Sequence, residues 1–160
     1  SGELFYPLDR SGDHLMDARI DWIKGMNFVG ESEGGHKLLM DATADFGGND
    51  LAQNPMETVL IGLGGCTAMD VVQILRQSKQ NIESFSVQLT ATKEDKHPAV
   101  FKKIQLLYVF EGYNLSRKNI EEAIELSAKK YCSVSIMIEK TASISRDFKI
   151  VDLARMKSKE

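Results

Sequence analysis

The sequence predicts an α+β fold, and three observations carry that prediction. Residues 17–23 and 84–92 alternate apolar and polar side chains, the period of a half-buried strand. The segment after Asn54-Pro55 repeats its apolar residues at spacings of three and four, the period of a helix. The strand patterns come in groups separated by helical ones, rather than alternating singly with them.

Each element follows in order. Ala18, Ile20 and Trp22 share one side of the first strand, with Arg19 and Asp21 on the other. Lys24-Gly25 turns the chain into a second strand at residues 26–31, and residues 31–36 turn it again into a third at 37–41. Residues 42–53, with a Gly47-Gly48 pair, form a connecting loop. Pro55 suits the first turn of a helix, which is expected to run to about Ser78 and, being apolar over its first half, to lie deeply buried. After the strand at 84–92 and a charged loop, residues 101–111 form a central strand with Ile104, Leu106, Tyr108 and Phe110 on one face. Ser116 can cap a helix reaching about Lys130, with Ile120, Ala123, Ile124, Ser127 and Tyr131 inward. A short helix at 133–141 and a strand at 143–151 complete the order.

The 160 residues fit one domain, placed at 16–152, with 1–15 a leader segment and 153–160 a tail. A composition 42% hydrophobic and 27% charged is that of an ordinary globular chain. The net charge of −3 leaves no basic footprint for nucleic acid. No apolar run is expected to span a membrane and no signal peptide is evident, so a cytoplasmic protein is expected. His14, His36 and His97 are scattered and no Cys-x-x-Cys is present, so no zinc site is expected.

Cys66 and Cys132 are the two cysteines, and the first follows Gly62, Gly64 and Gly65 inside the long helical pattern. Each glycine there costs about 0.8–1 kcal/mol relative to alanine. A phosphate cradle does not explain them: position 67 is threonine where a dinucleotide loop needs its third glycine, and no lysine follows as in a P-loop. Two readings stand together. Glycines let another backbone approach closely, as between two copies of the helix, and small residues leave access to the Cys66 sulfur. Asp70 is one helical turn on, on the same face. It is either a buried hydrogen-bonding residue, a partner to a lysine or to Arg76, or an anion that raises the Cys66 pKa.

The stretch N54-P-M-E-T-V-L-I-G-L-G-G-C66-T-A-M-D-V-V, with A-K-K-Y-C132-S-V-S later, resembles the OsmC/Ohr family of osmotically inducible and organic hydroperoxide resistance proteins, and within it the YhfA-like branch. The resemblance implies an intertwined homodimer with antiparallel sheets around long central helices. It also implies thiol peroxidase chemistry. Cys66 would attack a peroxide and become a sulfenic acid, and Cys132 would condense with it to a disulfide. An external dithiol such as dihydrolipoamide would reduce that bond, with no bound cofactor. The partners implied are a second copy, a small peroxide and the dithiol, with neither nucleic acid nor membrane.

In the hydroperoxide-resistance branch an arginine and a glutamate organise the thiolate. Here Met56 stands where that glutamate would follow Asn-Pro, and Glu57 comes next, about 100° round the helix. The stretch 23–27 offers Lys24 in place of the arginine, a point charge without the bidentate fork. Glu57 and Lys24 are therefore the candidate activating residues beside Cys66 and Cys132. The departure leaves a second reading, a non-peroxidatic dimer that binds a small apolar or thiol ligand in an interface pocket.

Overall fold

The computed structural model describes residues 16–156, so the leader expected at 1–15 and the end of the tail lie outside the described residues. The described chain clusters into two compact units, one from residue 16 to 60 and one from 61 to 156, and the long helix contributes to both.

In the N-terminal unit β1 (Ala18–Lys24), β2 (Asn27–Ser32) and β3 (Lys37–Met40) form an antiparallel meander. The strands lie where the alternation puts them, but β1 is exposed along its whole length, with Ile20 and Trp22 more than half exposed. Alternation marks one apolar face without saying what covers it, and among the described residues nothing does. A single 3₁₀ turn, Ala44–Phe46, interrupts the following loop.

Helix α1 (Pro55–Gln77) starts at a reciprocal cap: the Asn54 amide donates to Glu57 Oε2 at 2.8 Å and the Glu57 amide to Asn54 Oδ1 at 2.9 Å. The expectation of deep burial holds for one stripe only. Leu63, Gly64, Thr67, Asp70, Val71 and Leu75 are buried, whereas Ile61 and Met69 are 61% and 72% exposed. The helix is also long and apolar enough, by length and composition alone, to cross a membrane, which the sequence reading did not expect. Its polar residues Thr67 and Asp70 are spent on bonds inside the C-terminal unit.

That unit is a three-stranded sheet in the order β4 (Asn81–Lys93), β5 (Phe101–Tyr113), β6 (Ser143–Asp152). The β4–β5 pair is antiparallel, but β5 and β6 are parallel, which corrects the expectation of wholly antiparallel sheets. A parallel return needs a crossover, and the helices between β5 and β6 supply it. They are α2 (Arg117–Leu126), capped by Ser116, a π-helical turn (Ser127–Tyr131) and α3 (Ser133–Ile138). A four-residue helix, α4 (Leu153–Met156), follows β6. The core joins Val71 and Leu75 of α1, Leu106, Tyr108 and Phe110 of β5, and Ile120, Ala123 and Ile124 of α2. Phe85 stacks on Phe110 with ring centroids 4.7 Å apart.

Of the three α1 glycines, only Gly64 is crowded within the chain: a methyl there would come within 2.7 Å of Leu89 Cδ1, while one at Gly62 or Gly65 would meet nothing within 4 Å. Gly64→Ala is therefore expected to destabilise the protein by about 1–3 kcal/mol in urea unfolding, and an unchanged midpoint would show that Leu89 yields freely.

Candidate active site

Cys66 and Asp70 stand one turn apart on α1, so helical spacing alone puts sulfur and carboxylate on one face. Cys132 arrives from the other side of the core. Its amide donates to the Ser127 carbonyl at 2.8 Å, a five-residue closure that ends the π turn, and Cys132 then becomes the N-cap of α3. The Ser135 amide points at the Cys132 sulfur at 3.4 Å, and the Ser135 hydroxyl donates to the Cys132 carbonyl at 3.0 Å. Cys132 therefore follows one helix and opens the next. Carbonyl and amide ends both face it, so neither helix end alone sets its electrostatic surroundings.

The two sulfurs and an Asp70 carboxylate oxygen all lie within 4.8 Å of one another. Both thiols are free; Cys66 is half-buried and Cys132 fully buried. Two sulfurs and one carboxylate make three donors, one short of a structural zinc site.

A line of hydroxyls runs from Asp70 across the core. The Ser127 hydroxyl donates to Asp70 Oδ2 at 3.0 Å, Thr67 Oγ1 lies 2.9 Å from Ser127 Oγ, and Tyr108 Oη lies 2.8 Å from Thr67 Oγ1. Each hydroxyl has one proton, and an ionised carboxylate only accepts. Because Ser127 spends its proton on Asp70, Thr67 donates to Ser127 and Tyr108 donates to Thr67. Beyond Tyr108 stands Arg146 on β6, whose Nη1 donates to Glu139 at 2.9 Å and whose Nε and Nη2 are buried without a partner among the described residues. Burial pushes the Tyr108 phenol up, while the Thr67 bond and the Arg146 charge pull it back.

Burial also pushes the Cys66 thiol up, to about 11, and the neighbouring Cys132 and Asp70 push the same way. The Val134 amide works against them. Asp70 is thus buried and hydrogen-bonded, and its charge adds to the burial that raises the Cys66 pKa.

The other two candidates belong to the N-terminal unit. Glu57 is exposed with its carboxylate engaged in the α1 cap, and Lys24 is exposed at the end of β1. Among the described residues no hydrogen bond or ion pair is formed between either and a cysteine. Thr67, Ser127, Tyr108 and Arg146 complete the site without having been singled out as functional. The available signal was a threonine in an otherwise apolar α1 stripe and a serine on the inner face of the next helix.

The family model of the OsmC-like proteins matches residues 47–146. Protein YhfA of Escherichia coli strain K12 is 40% identical over 136 residues, 85% of this chain and 98% of that protein. A hypothetical protein from Aquifex aeolicus superposes with a TM-score of 0.76 at 24% identity, covering 87% of this chain and 98% of the other. An organic hydroperoxide resistance protein from Legionella pneumophila gives 0.63 at 18%, covering 85% and 97%. The chain belongs to the OsmC-like family.

The thiol environment predicts that iodoacetamide alkylation of Cys66, mapped by mass spectrometry, accelerates about tenfold per pH unit between pH 7 and 9. In Asp70→Asn, which removes one charge opposing the thiolate, the same rates should appear at lower pH. A rate already on its plateau at pH 7 would contradict this environment.

Proposed function

For this OsmC-like protein we propose a cysteine-based thiol peroxidase that reduces organic hydroperoxides or hydrogen peroxide. The observation that carries the reading is the approach of two free thiols to within 4.8 Å, one half-buried and reachable, the other fully buried behind it. The Cys66 thiolate would displace an alcohol or water from the O–O bond and become a sulfenic acid. Cys132 would then displace the sulfenic oxygen as water. Closing from below 4.8 Å to the roughly 2 Å of a disulfide needs side-chain rotation rather than refolding. A dithiol of the dihydrolipoamide kind would restore both thiols. The family, and neighbours named as hydroperoxide resistance proteins, support a peroxide-related role. A reducing, cytoplasmic setting goes with it, because the pair must be returned to thiols.

The raised Cys66 pKa favours the second reading, a dimer that holds a small apolar or thiol ligand without turning over peroxide. Stopped-flow mixing of the reduced protein with cumene hydroperoxide separates the two. The peroxidase reading expects an intramolecular Cys66–Cys132 bond formed far faster than a free-cysteine control reacts, abolished in Cys66→Ser, with Cys132→Ser halting at the sulfenic acid. Lys24→Ala and Glu57→Gln in the same assay show whether either supplies activation. Reaction no faster than free cysteine favours the ligand-binding dimer.

A homodimer is part of the proposal. It is supported by the α1 stripe in which Ile61 and Met69 are exposed and Gly65 and Val72 half-buried, with room beside Gly62 and Gly65 among the described residues. Sedimentation should find twice the chain mass, and Met69→Asp should shift it toward the monomer; a monomeric wild type would remove the interface.

A further inference from the structure

A carboxylate with no cation between it and a thiol opposes the thiolate, yet Asp70 is 1% exposed and is among the groups that raise the Cys66 pKa. Burying a carboxylate is costly, and a Ser127 hydroxyl would be satisfied as well by a neutral acceptor. Asp70 is therefore unexplained by the first step of the proposed reaction.

The second step supplies an explanation. Cys132 is 0% exposed, so the proton it must lose when it attacks the Cys66 sulfenic acid has no open path to bulk water. The Asp70 carboxylate lies within 4.8 Å of that sulfur, within reach of one side-chain rotation or one bridging water. Groups on several elements face it. They are Cys66 and Thr67 on α1, Ser127 and Cys132 at the two ends of the π turn, and, through Thr67, Tyr108 on β5 with Arg146 of β6 beyond it. With Ser127, Thr67 and Tyr108 all donating toward the carboxylate, the hydroxyl line supports its negative charge, and a carboxylate oxygen lies within 4.8 Å of both sulfurs.

We propose that Asp70 is the general base of disulfide formation and the general acid of disulfide reduction, acting on the buried thiol Cys132. The proposal rests on the peroxidase reading for the first of these steps. When Cys132 attacks, its proton passes to Asp70, a sulfur–sulfur bond forms, and the Cys66 sulfur–oxygen bond breaks. The departing oxygen takes the proton from Asp70 and leaves as water. Cys132 is oxidised, the Cys66 sulfur is reduced, and the carboxylate is regenerated. In reduction, one thiol of an external dithiol passes its proton to the Asp70 carboxylate as its sulfur attacks Cys66, the Cys66–Cys132 bond breaks, and Asp70 hands that proton to the departing Cys132 sulfur. The dithiol's second thiol then releases Cys66, and the dithiol leaves oxidised.

The test is Asp70→Asn in the full chain, with the two steps read separately by sulfenic-acid trapping and by acid-quenched mass analysis. The expected result is opposite effects. Cys66 oxidation by peroxide is as fast as in the wild type or faster, while disulfide formation slows at least tenfold and sulfenic acid accumulates. That deficit shrinks as pH rises, because hydroxide replaces the missing base. A structural defect would slow both steps and keep its size with pH. Disulfide formation at the wild-type rate overturns the proposal, as does an equal loss in both steps. Asp70→Glu, which keeps the acid, decides the matter if the amide does not fold. Resolution within about threefold of wild type supports the role, and a folded glutamate variant more than tenfold slower overturns it. If the wild type forms no sulfenic acid, the peroxidase reading fails. Reduction by dithiothreitol of a Cys66–Cys132 bond made with diamide then still reads Asp70 by itself: at least tenfold slower in Asp70→Asn supports the acid role, and an unchanged rate overturns it.

Discussion

One buried carboxylate constrains the C-terminal unit. A charge at Asp70, on the apolar stripe of α1, is tolerable only if hydrogen bonds replace the water it has lost. The Ser127 hydroxyl provides one, and Thr67 and Tyr108 extend the line, so a single polar thread ties α1 to the π turn and to the central strand β5. The π turn has a part in this. Its five-residue closure from the Cys132 amide to the Ser127 carbonyl places a hydroxyl at one end toward Asp70 and a thiol at the other end against the same carboxylate. Regular α-helical winding through residues 127–131 would rotate one of the two away.

Burial is the largest influence on the Cys66 thiol, and the same carboxylate adds to it. Burial, Cys132 and Asp70 all oppose a Cys66 thiolate, and among the described residues the Val134 amide favours it. In water-poor surroundings proton transfer limits thiol–disulfide exchange more than it does for an exposed pair, so a base held beside the buried sulfur has its largest effect there.

Much of this was legible in the sequence, and the rest depended on distance. The period-two face of Ile104, Leu106, Tyr108 and Phe110 predicted the central strand, and all four are buried. Pro55 and the three-four spacing placed α1 within a residue or so of its observed ends. The burial of β1 and of α1 was over-read, because an apolar face in a sequence says that something covers it, not that the same chain does. The parallel β5–β6 pairing was not legible either, since strand direction follows from the crossover between strands and not from their own pattern. At the site, Cys66 and Cys132 stood out through a family resemblance, and the i, i+4 spacing of Asp70 gave its face. The partners of Asp70 did not, because Ser127 is 57 positions and Tyr108 38 positions away in the chain. Glu57, read as a candidate activating residue, is also a capping residue, and the Asn54-x-x-Glu57 spacing carries that signal in the sequence itself.

The central claim is that Cys66 and Cys132 form one reversible redox pair beside a buried carboxylate. Equilibrating the protein across mixtures of reduced and oxidised dithiothreitol, followed by mass mapping after alkylation, tests it most directly. The account predicts a single two-electron transition in which both cysteines leave the alkylatable pool together and reappear as one intramolecular bond. Two independent one-thiol transitions, or bonds formed only between chains, would contradict it.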